Sequence, residues 1–217
     1  MPPVLSHDEA RAFYDRFGAR QDKQAFYEDA ALDRLIAQGR FEEAQAVFEF
    51  GCGTGRLAER LLERHLPEGA EYTGLDVSPT MVALATERLA RWHARIVQGD
   101  GEMTVPAADG SFSRFVATYV LDLLSDADGH ALIAEAHRTL RPGGLLCVAG
   151  ITHGSGVLSV PIMALWRAIA GVAPGLVGGC RPQRTDRLLS SARWRIIHRS
   201  VVVPWGIASE VLVAARQ

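Results

Sequence analysis

The chain has 217 residues, with 48% apolar side chains, 23 lysines and arginines, and 25 aspartates and glutamates, so one domain around a sizeable core is expected. A formal net charge of −2 leaves no basic footprint for nucleic acid. Cys52, Cys147 and Cys180 have neither CxxC nor zinc spacing, which predicts free thiols, no metal site and a reduced, cytoplasmic setting.

The start, "MPPVLSHDEARAFY", lacks the apolar core of a signal peptide. Ser6 and Glu9 form a capping-box pattern, and Ala10, Phe13, Tyr14 and Phe17 then recur at helical spacing. A second helix is predicted over 24–38, so that 1–40 form a helical cover. Strand one is predicted at 46–50 and its helix at 54–65. "EYTGLDV" is strand two. Ser78 as N-cap and Pro79 as first residue open a helix running to about Trp92. "ARIVQGD" and "SFSRFVATYV" are strands three and four. A helix over 128–140 is predicted to stop at "RPGG", before the strand "LLCVAGI". The uncharged run between Arg141 and Arg167 is divided by "THGSG" and is too broken for one membrane span. "RWRIIHRSVVV" and "GIASEVLVAA" read as an antiparallel hairpin near a sheet edge. Strands alternating with helices predict an α/β fold, Rossmann-like and doubly wound, with a mostly parallel sheet.

The most informative stretch is "VFEFGCGTGRLAERLL", where a strand enters a helix through Gly51, Gly53 and Gly55. Glycines there accept positive φ and allow a ligand close to the backbone, and the free amides of the next helix favour a negative group. The dinucleotide fingerprint G-x-G-x-x-G requires glycine where Arg56 stands. Asp76 ends strand two, where a carboxylate can accept from both hydroxyls of a ribose. Asp100 ends strand three and can accept from an adenine amino group, with the Gly101 or Glu102 amide reading a ring nitrogen. Each carboxylate alone can equally cap a turn. Three successive strand ends carrying a turn, a ribose acceptor and a base reader point to a nucleoside cofactor.

With "VFEFGCGTG", "YTGLDVSPTMVALA", "GDGE" and "HRTLRPGGLL", the chain resembles the class I S-adenosylmethionine-dependent methyltransferases, in their small-molecule group similar to type-11 and ubiquinone-pathway enzymes. The resemblance spans about 14–151. It implies seven strands with the last antiparallel. It implies that Glu49, Gly51, Cys52 and Gly53 lie near the methionine part of the cofactor. Asp76 and Val77 would then lie at the ribose, Asp100, Gly101 and Glu102 at the adenine, and Thr118 beside the reacting methyl. The position after strand four that often carries histidine in the family reads "YVLDLLSD" here. S-adenosylmethionine has no phosphate, in keeping with the lack of a lysine near the turn, since Lys23 is the only lysine.

Candidate bases are His153 after strand five and Tyr119 and Asp122 after strand four. Their alternatives are a loop histidine bonded to a carbonyl, a core tyrosine and a turn cap. Tyr14 either folds over the cofactor carboxylate or packs. The apolar segment 154–180, within a substrate-side insertion at 152–190, is read as a core helix, as a wall over an apolar acceptor pocket, or as a surface helix that lacks a strong basic face. Of the arginines that follow, Arg181, Arg184, Arg187, Arg193, Arg195 and Arg199, set against Asp186 alone, some read as solvated strand and turn charges, and one or two near the pocket can hold an anionic acceptor. The expectation is methyl transfer from S-adenosylmethionine to a small, partly apolar acceptor, by a monomer or homodimer without nucleic acid or stable membrane insertion. A non-catalytic cofactor-binding module and an NAD-type dehydrogenase are the alternatives.

Overall fold

A computed structural model describes residues 5–217; the first four residues of the start, part of the stretch read as lacking a signal core, lie outside it. The capping box forms as expected. Ser6 Oγ accepts from the Glu9 amide at 3.2 Å, the Ser6 amide donates to Glu9 Oε2 at 2.8 Å, and α1 runs His7–Phe17. After a 3₁₀ segment, α2 covers Ala25–Gln38. There follow β1 Ala46–Phe50, α3 Arg56–Arg64, β2 Glu71–Asp76, α4 Pro79–Arg88, β3 Ala94–Gln98, β4 Phe112–Thr118, α5 Asp126–Thr139, β5 Leu140–Ile151, α6 Ser159–Val172, β6 Trp194–Val202 and β7 Ser209–Arg216.

The seven strands lie in the order β3-β2-β1-β4-β5-β7-β6, all parallel except β7, which pairs antiparallel with both β5 and β6. The chain leaves β1 in one direction through β2 and β3, then returns to β4 on the other side. The C-terminal ends of β1 and β4 therefore flank the topological switch point, where open α/β sheets bind ligands. Alternation along β1 sets both faces of the sheet. Val47 joins the cluster with Leu35 of α2 and Leu61 of α3. Phe48 joins Phe115 and Leu132 in the other cluster. Glu49 falls on the same side as Val47, beneath α2.

Some boundaries differ from the sequence reading. α4 ends at Arg88, four residues short of Trp92; the chain turns there and Arg91 stacks 4.0 Å over the Trp92 ring. α5 begins at Asp126, earlier than expected, because Ser125 Oγ caps the Asp128 amide at 3.1 Å. "RPGG" belongs to β5: Leu140 pairs with Phe112 and Leu145 with Arg114, and the register shift between them accommodates the glycines. Gly55, at φ 77°, caps α3, so this helix starts at Arg56 and not at Thr54.

Candidate functional site

Gly51, Gly53 and Gly55 all hold positive φ, at 72°, 53° and 77°. A Cβ at Gly51 would lie 2.4 Å from Val120 Cγ2, so the turn tolerates no side chain there. The Gly51 and Cys52 amides donate to Leu75 O at 2.7 and 3.0 Å, which pins the turn to β2. Asp76 is buried and braces both loops: Gly53 N–H donates to its Oδ2 at 2.8 Å and Ser78 N–H to its Oδ1 at 2.9 Å. Burial pushes its carboxyl up, against those amide bonds, which favour the charged form. Each oxygen retains a lone pair for another donor.

These strand ends open onto a cleft of about 880 Å³, its solvent-open mouth included. Gly51, Asp76, Val77, Gly101, Glu102, Thr118 and Tyr119 line it, and Leu5, His7, Ala10 and Tyr14 from the N-terminal region form its far wall. His7 Nε2 lies 3.4 Å from Asp128 Oδ2, clasping α1 to α5 across the mouth. Gly51, Gln21, Thr118 and Tyr119 also border a second chamber of about 400 Å³, with Glu28, Glu49, Cys52, Thr54 and Arg56 around it. Two buried carboxyls therefore meet in one small space. Burial lifts Glu49 to about 8, although a hydrogen bond from the Tyr72 hydroxyl lowers it. Burial lifts Glu28 to about 7, opposed by Arg56, whose Nη2 donates to Glu28 Oε2 at 2.9 Å. Burial also raises the Cys52 thiol well above its usual range.

The cover is bolted to the sheet layer by polar pairs. Thr54 Oγ1 donates to Asp22 Oδ1 at 2.6 Å, Arg88 Nη2 to Asp22 Oδ2 at 2.5 Å, and Ser78 Oγ to Asp15 Oδ1 at 2.5 Å. Arg56 also bonds Asp29, and Arg60 bonds Asp33. Gln21 Oε1 is buried with no hydrogen-bond partner, and it would stand 2.7 Å from a Cβ at Gly53. It is an orphan acceptor at the junction of the two chambers.

The other candidates separate by where their polar atoms point. Asp100 is exposed and outside the cleft lining; its Oδ1 accepts from the Glu102 amide at 2.9 Å, which makes it a turn brace that presents Gly101 and Glu102. Tyr14 lines the cleft, with its hydroxyl donating to Gly178 O at 3.2 Å. Tyr119 sits in the left-handed region at φ 56°, and its hydroxyl is hydrogen-bonded with Ser209 Oγ at 3.0 Å. Asp122 is buried against β5, accepts from the Ile151 amide at 3.1 Å and lies outside the cleft lining. Burial lifts its carboxyl to about 6 against that bond. His153 is exposed beyond β5 and also outside the lining. Burial of part of its ring, then Arg167, Arg187 and Arg184, hold its imidazole low. Of the three candidate bases, Tyr119 lines the cleft, and His153 and Asp122 lie beyond its lining.

Gln21, Glu28 and the clasp His7–Asp128 were missed from the sequence. The legible signal was the acidic series Asp22, Glu28, Asp29 and Asp33 against Arg56 and Arg60 one turn apart on α3.

A family model described as a methyltransferase domain matches residues 47–144. A malonyl-[acyl-carrier protein] O-methyltransferase of Serratia marcescens is 31% identical over 146 residues, 67% of this chain and 53% of the relative. The chain spans 51–60% of the lengths of the first curated relatives it matches. Among solved structures, the N-methyltransferase NodS of Bradyrhizobium japonicum, in complex with S-adenosyl-L-homocysteine, has a TM-score of 0.72 at 18% identity, covering 95% of this chain and 98% of that one. The [4+2]-cyclase SpnF has a TM-score of 0.74 at 17% identity, covering 99% and 98%. From the strand order, the glycine turn at the switch point and these likenesses, the chain has the fold of class I S-adenosylmethionine-dependent methyltransferases, with a methyltransferase domain matched over residues 47–144.

Proposed function

We propose that the two joined chambers hold S-adenosylmethionine and a small, partly apolar acceptor, and that the methyl group passes between them. The observation that carries this reading is the junction itself: Gly51 and Thr118 border both spaces, so a ligand can bend from one into the other there. The residues fit the cofactor. The glycine cradle leaves room where a Cβ would collide, Asp76 keeps free lone pairs toward a ribose, and the orphan Gln21 Oε1 awaits a donor. Glu49 and Glu28 suit the ammonium of an amino-acid end, and Gly101 with Glu102 border an adenine.

When bound, the cofactor supplies an electrophilic methyl on a sulfonium. The chain's part is alignment, which is worth roughly 7–11 kcal/mol of barrier when the reacting atoms are held in line. The apolar wall from Leu5, Leu123 and Leu124 excludes water and favours an apolar acceptor. Neither His153 nor Asp122 lines the cleft and the Tyr119 hydroxyl is engaged by Ser209, so an acceptor that arrives deprotonated or neutral and nucleophilic suits the site best.

The positions of His153, Asp122 and the Tyr119 hydroxyl favour one second reading: a family member that binds the cofactor without transferring its methyl. The fold accommodates other chemistry, since a solved cyclase shares it. The NAD-type alternative is weakened at Arg56, which heads α3 where a pyrophosphate would dock and is engaged by Glu28 and Asp29. Calorimetry with S-adenosylhomocysteine and NAD, followed by label transfer from methyl-labelled cofactor to a metabolite panel, tests all three. Saturable NAD binding without S-adenosylhomocysteine binding refutes the proposal; cofactor binding without label transfer to any acceptor favours the second reading.

A further inference from the structure

A second feature lies outside the cleft. Residues 142–180 contain one formally charged side chain, Arg167. Within this run, α6 buries only the stripe Ser159, Met163 and Ala170, with Trp166 half-buried against Tyr27. The outer face of the helix is apolar apart from Arg167. Leu158 is 78% exposed, Leu165 63% and Val172 89%, and Trp205 beside them is 78% exposed. Trp205 belongs to this crest because Gly206 packs on α6: a Cβ there would lie 2.2 Å from Ile162 Cδ1. A helix with so apolar an outer face belongs against a partner or in a lipid interface, and only the inner stripe of this one joins the core, through Met163 and Trp166. It has 14 residues, and no helix among the described residues is long and apolar enough to cross a membrane.

The surrounding charge identifies the partner. Arg167 on α6 is exposed, and so is Arg187. Arg184 is neutralised by Asp186 at 2.6 Å, while Arg167 and Arg187 have no carboxylate partner among the described residues. The crest thus carries aliphatic side chains, an exposed tryptophan and the unpaired Arg167, and α6 itself carries no acid; Asp186 and Glu210 are paired with Arg184 and Arg199. A two-fold self-association through this face would bring like charges together, whereas a bilayer with anionic headgroups meets both features. We propose that α6 and Trp205 dock the protein on an anionic lipid surface, lying in the interface and not inserted across it. The segment leads back to the cleft: a Cβ at Gly179 would lie 2.8 Å from Leu5 and 3.2 Å from Leu123, both in the apolar wall. The docked face therefore borders the acceptor side, so an amphiphile in the lipid has a short route in. The docking itself does not depend on methyl transfer.

The test is flotation of the full chain with phosphatidylcholine vesicles, with and without phosphatidylglycerol, beside sedimentation equilibrium without lipid. Binding to the anionic vesicles, weakened by salt, is expected. Leu158→Asp with Leu165→Asp should lower it by roughly tenfold or more, and Trp205→Ser should lower it as well. Arg167→Glu should lower it by at least about fivefold and remove the preference for anionic lipid. The substituted side chains are exposed, so unchanged melting and S-adenosylhomocysteine affinity will separate lost docking from lost folding. Absence of flotation, flotation that ignores these substitutions, equal binding to neutral vesicles, or a lipid-free dimer that Leu165→Asp dissociates would each overturn the proposal.

Discussion

Asp76→Asn tests the cofactor reading most directly. The native carboxylate receives two buried amides, from Gly53 at 2.8 Å and Ser78 at 2.9 Å. Asparagine keeps one carbonyl oxygen but turns an NH2 toward the other amide. One buried donor is then left unpaired, a cost of about 1–3 kcal/mol. In a chain of this size that lowers the melting temperature by roughly 2–10 °C, and the fold survives. Ligand binding bears a separate cost. Two ribose hydroxyls lose a charged acceptor, worth about 1.5–3 kcal/mol, or roughly 10- to 150-fold in affinity. Calorimetry well below the melting transition measures it with S-adenosylhomocysteine and with its 2′,3′-dideoxy analogue, which has no hydroxyls to lose. Wild type and variant should bind the analogue equally, and the coupling in this cycle isolates the ribose contact. Unchanged affinity for S-adenosylhomocysteine, or equal losses for both ligands, would show that Asp76 only braces the turn.

Glu28→Gln addresses the second chamber. Burial raises Glu28 to about 7 and Glu49 to about 8, so the stability tied to their protonated forms is present at low pH and is lost as pH rises through those values. An incoming ammonium reverses the preference, so wild-type S-adenosylhomocysteine binding should release protons and tighten as pH rises from 6 to 8. In Glu28→Gln, calorimetry in two buffers of different ionisation enthalpy should show less release, while methylthioadenosine, which lacks the amino-acid end, binds as before. Gly51→Ala combines a strained φ of 72° with a 2.4 Å clash against Val120, and should lose about 1–3 kcal/mol by denaturant titration along with cofactor binding. Arg56→Ala unpairs the buried Glu28 and loosens the cover, which hydrogen exchange should report as faster exchange over 18–38. His153→Ala should change turnover by less than about threefold once an acceptor is known, since a working general base is worth 10²–10⁴-fold; a larger loss would place His153 in the reaction after all.

The frame was legible because its causes are local. "VFEFGCGTG" combines a buried parallel strand with glycines that only a tight, open turn requires, and β1 forms at the expected residues, Ala46–Phe50. Ser6 and Ser78 announced their helices because a cap is a contact three residues long. Boundaries failed where pairing overrode a local signal. "RPGG" is a stop in isolation, but Leu140 finds Phe112 across the sheet and a register shift absorbs the glycines. Asp76 was legible for the same reason as the turn, since the last residue of β2 reaches the cleft, whereas Asp100 stands two residues beyond β3 and outside the lining.

The acceptor side was not legible, because there the direction of a side chain depends on neighbours distant in sequence. Asp122 looks like a free acid three residues beyond Tyr119, yet its carboxyl turns to the Ile151 amide on β5. Tyr119 adopts positive φ and its hydroxyl meets Ser209, 90 residues on. Glu28 reads as one polar position on an amphipathic helix; only when α2 lies across β1 does it face Glu49. The consequence is chemical. Asp122 and the Tyr119 hydroxyl are engaged with β5 and β7, and on the proposed reading the apolar wall for an acceptor is Leu5, Leu123 and Leu124. Under the proposed function, a site so built would select its acceptor by shape and apolar area and gain its rate by alignment. One methylene more or less on the acceptor should then change kcat/KM by about 10- to 200-fold, as expected for an apolar pocket. A homologous series of acceptors measures this, and a flat series would mean that recognition rests on a polar contact elsewhere.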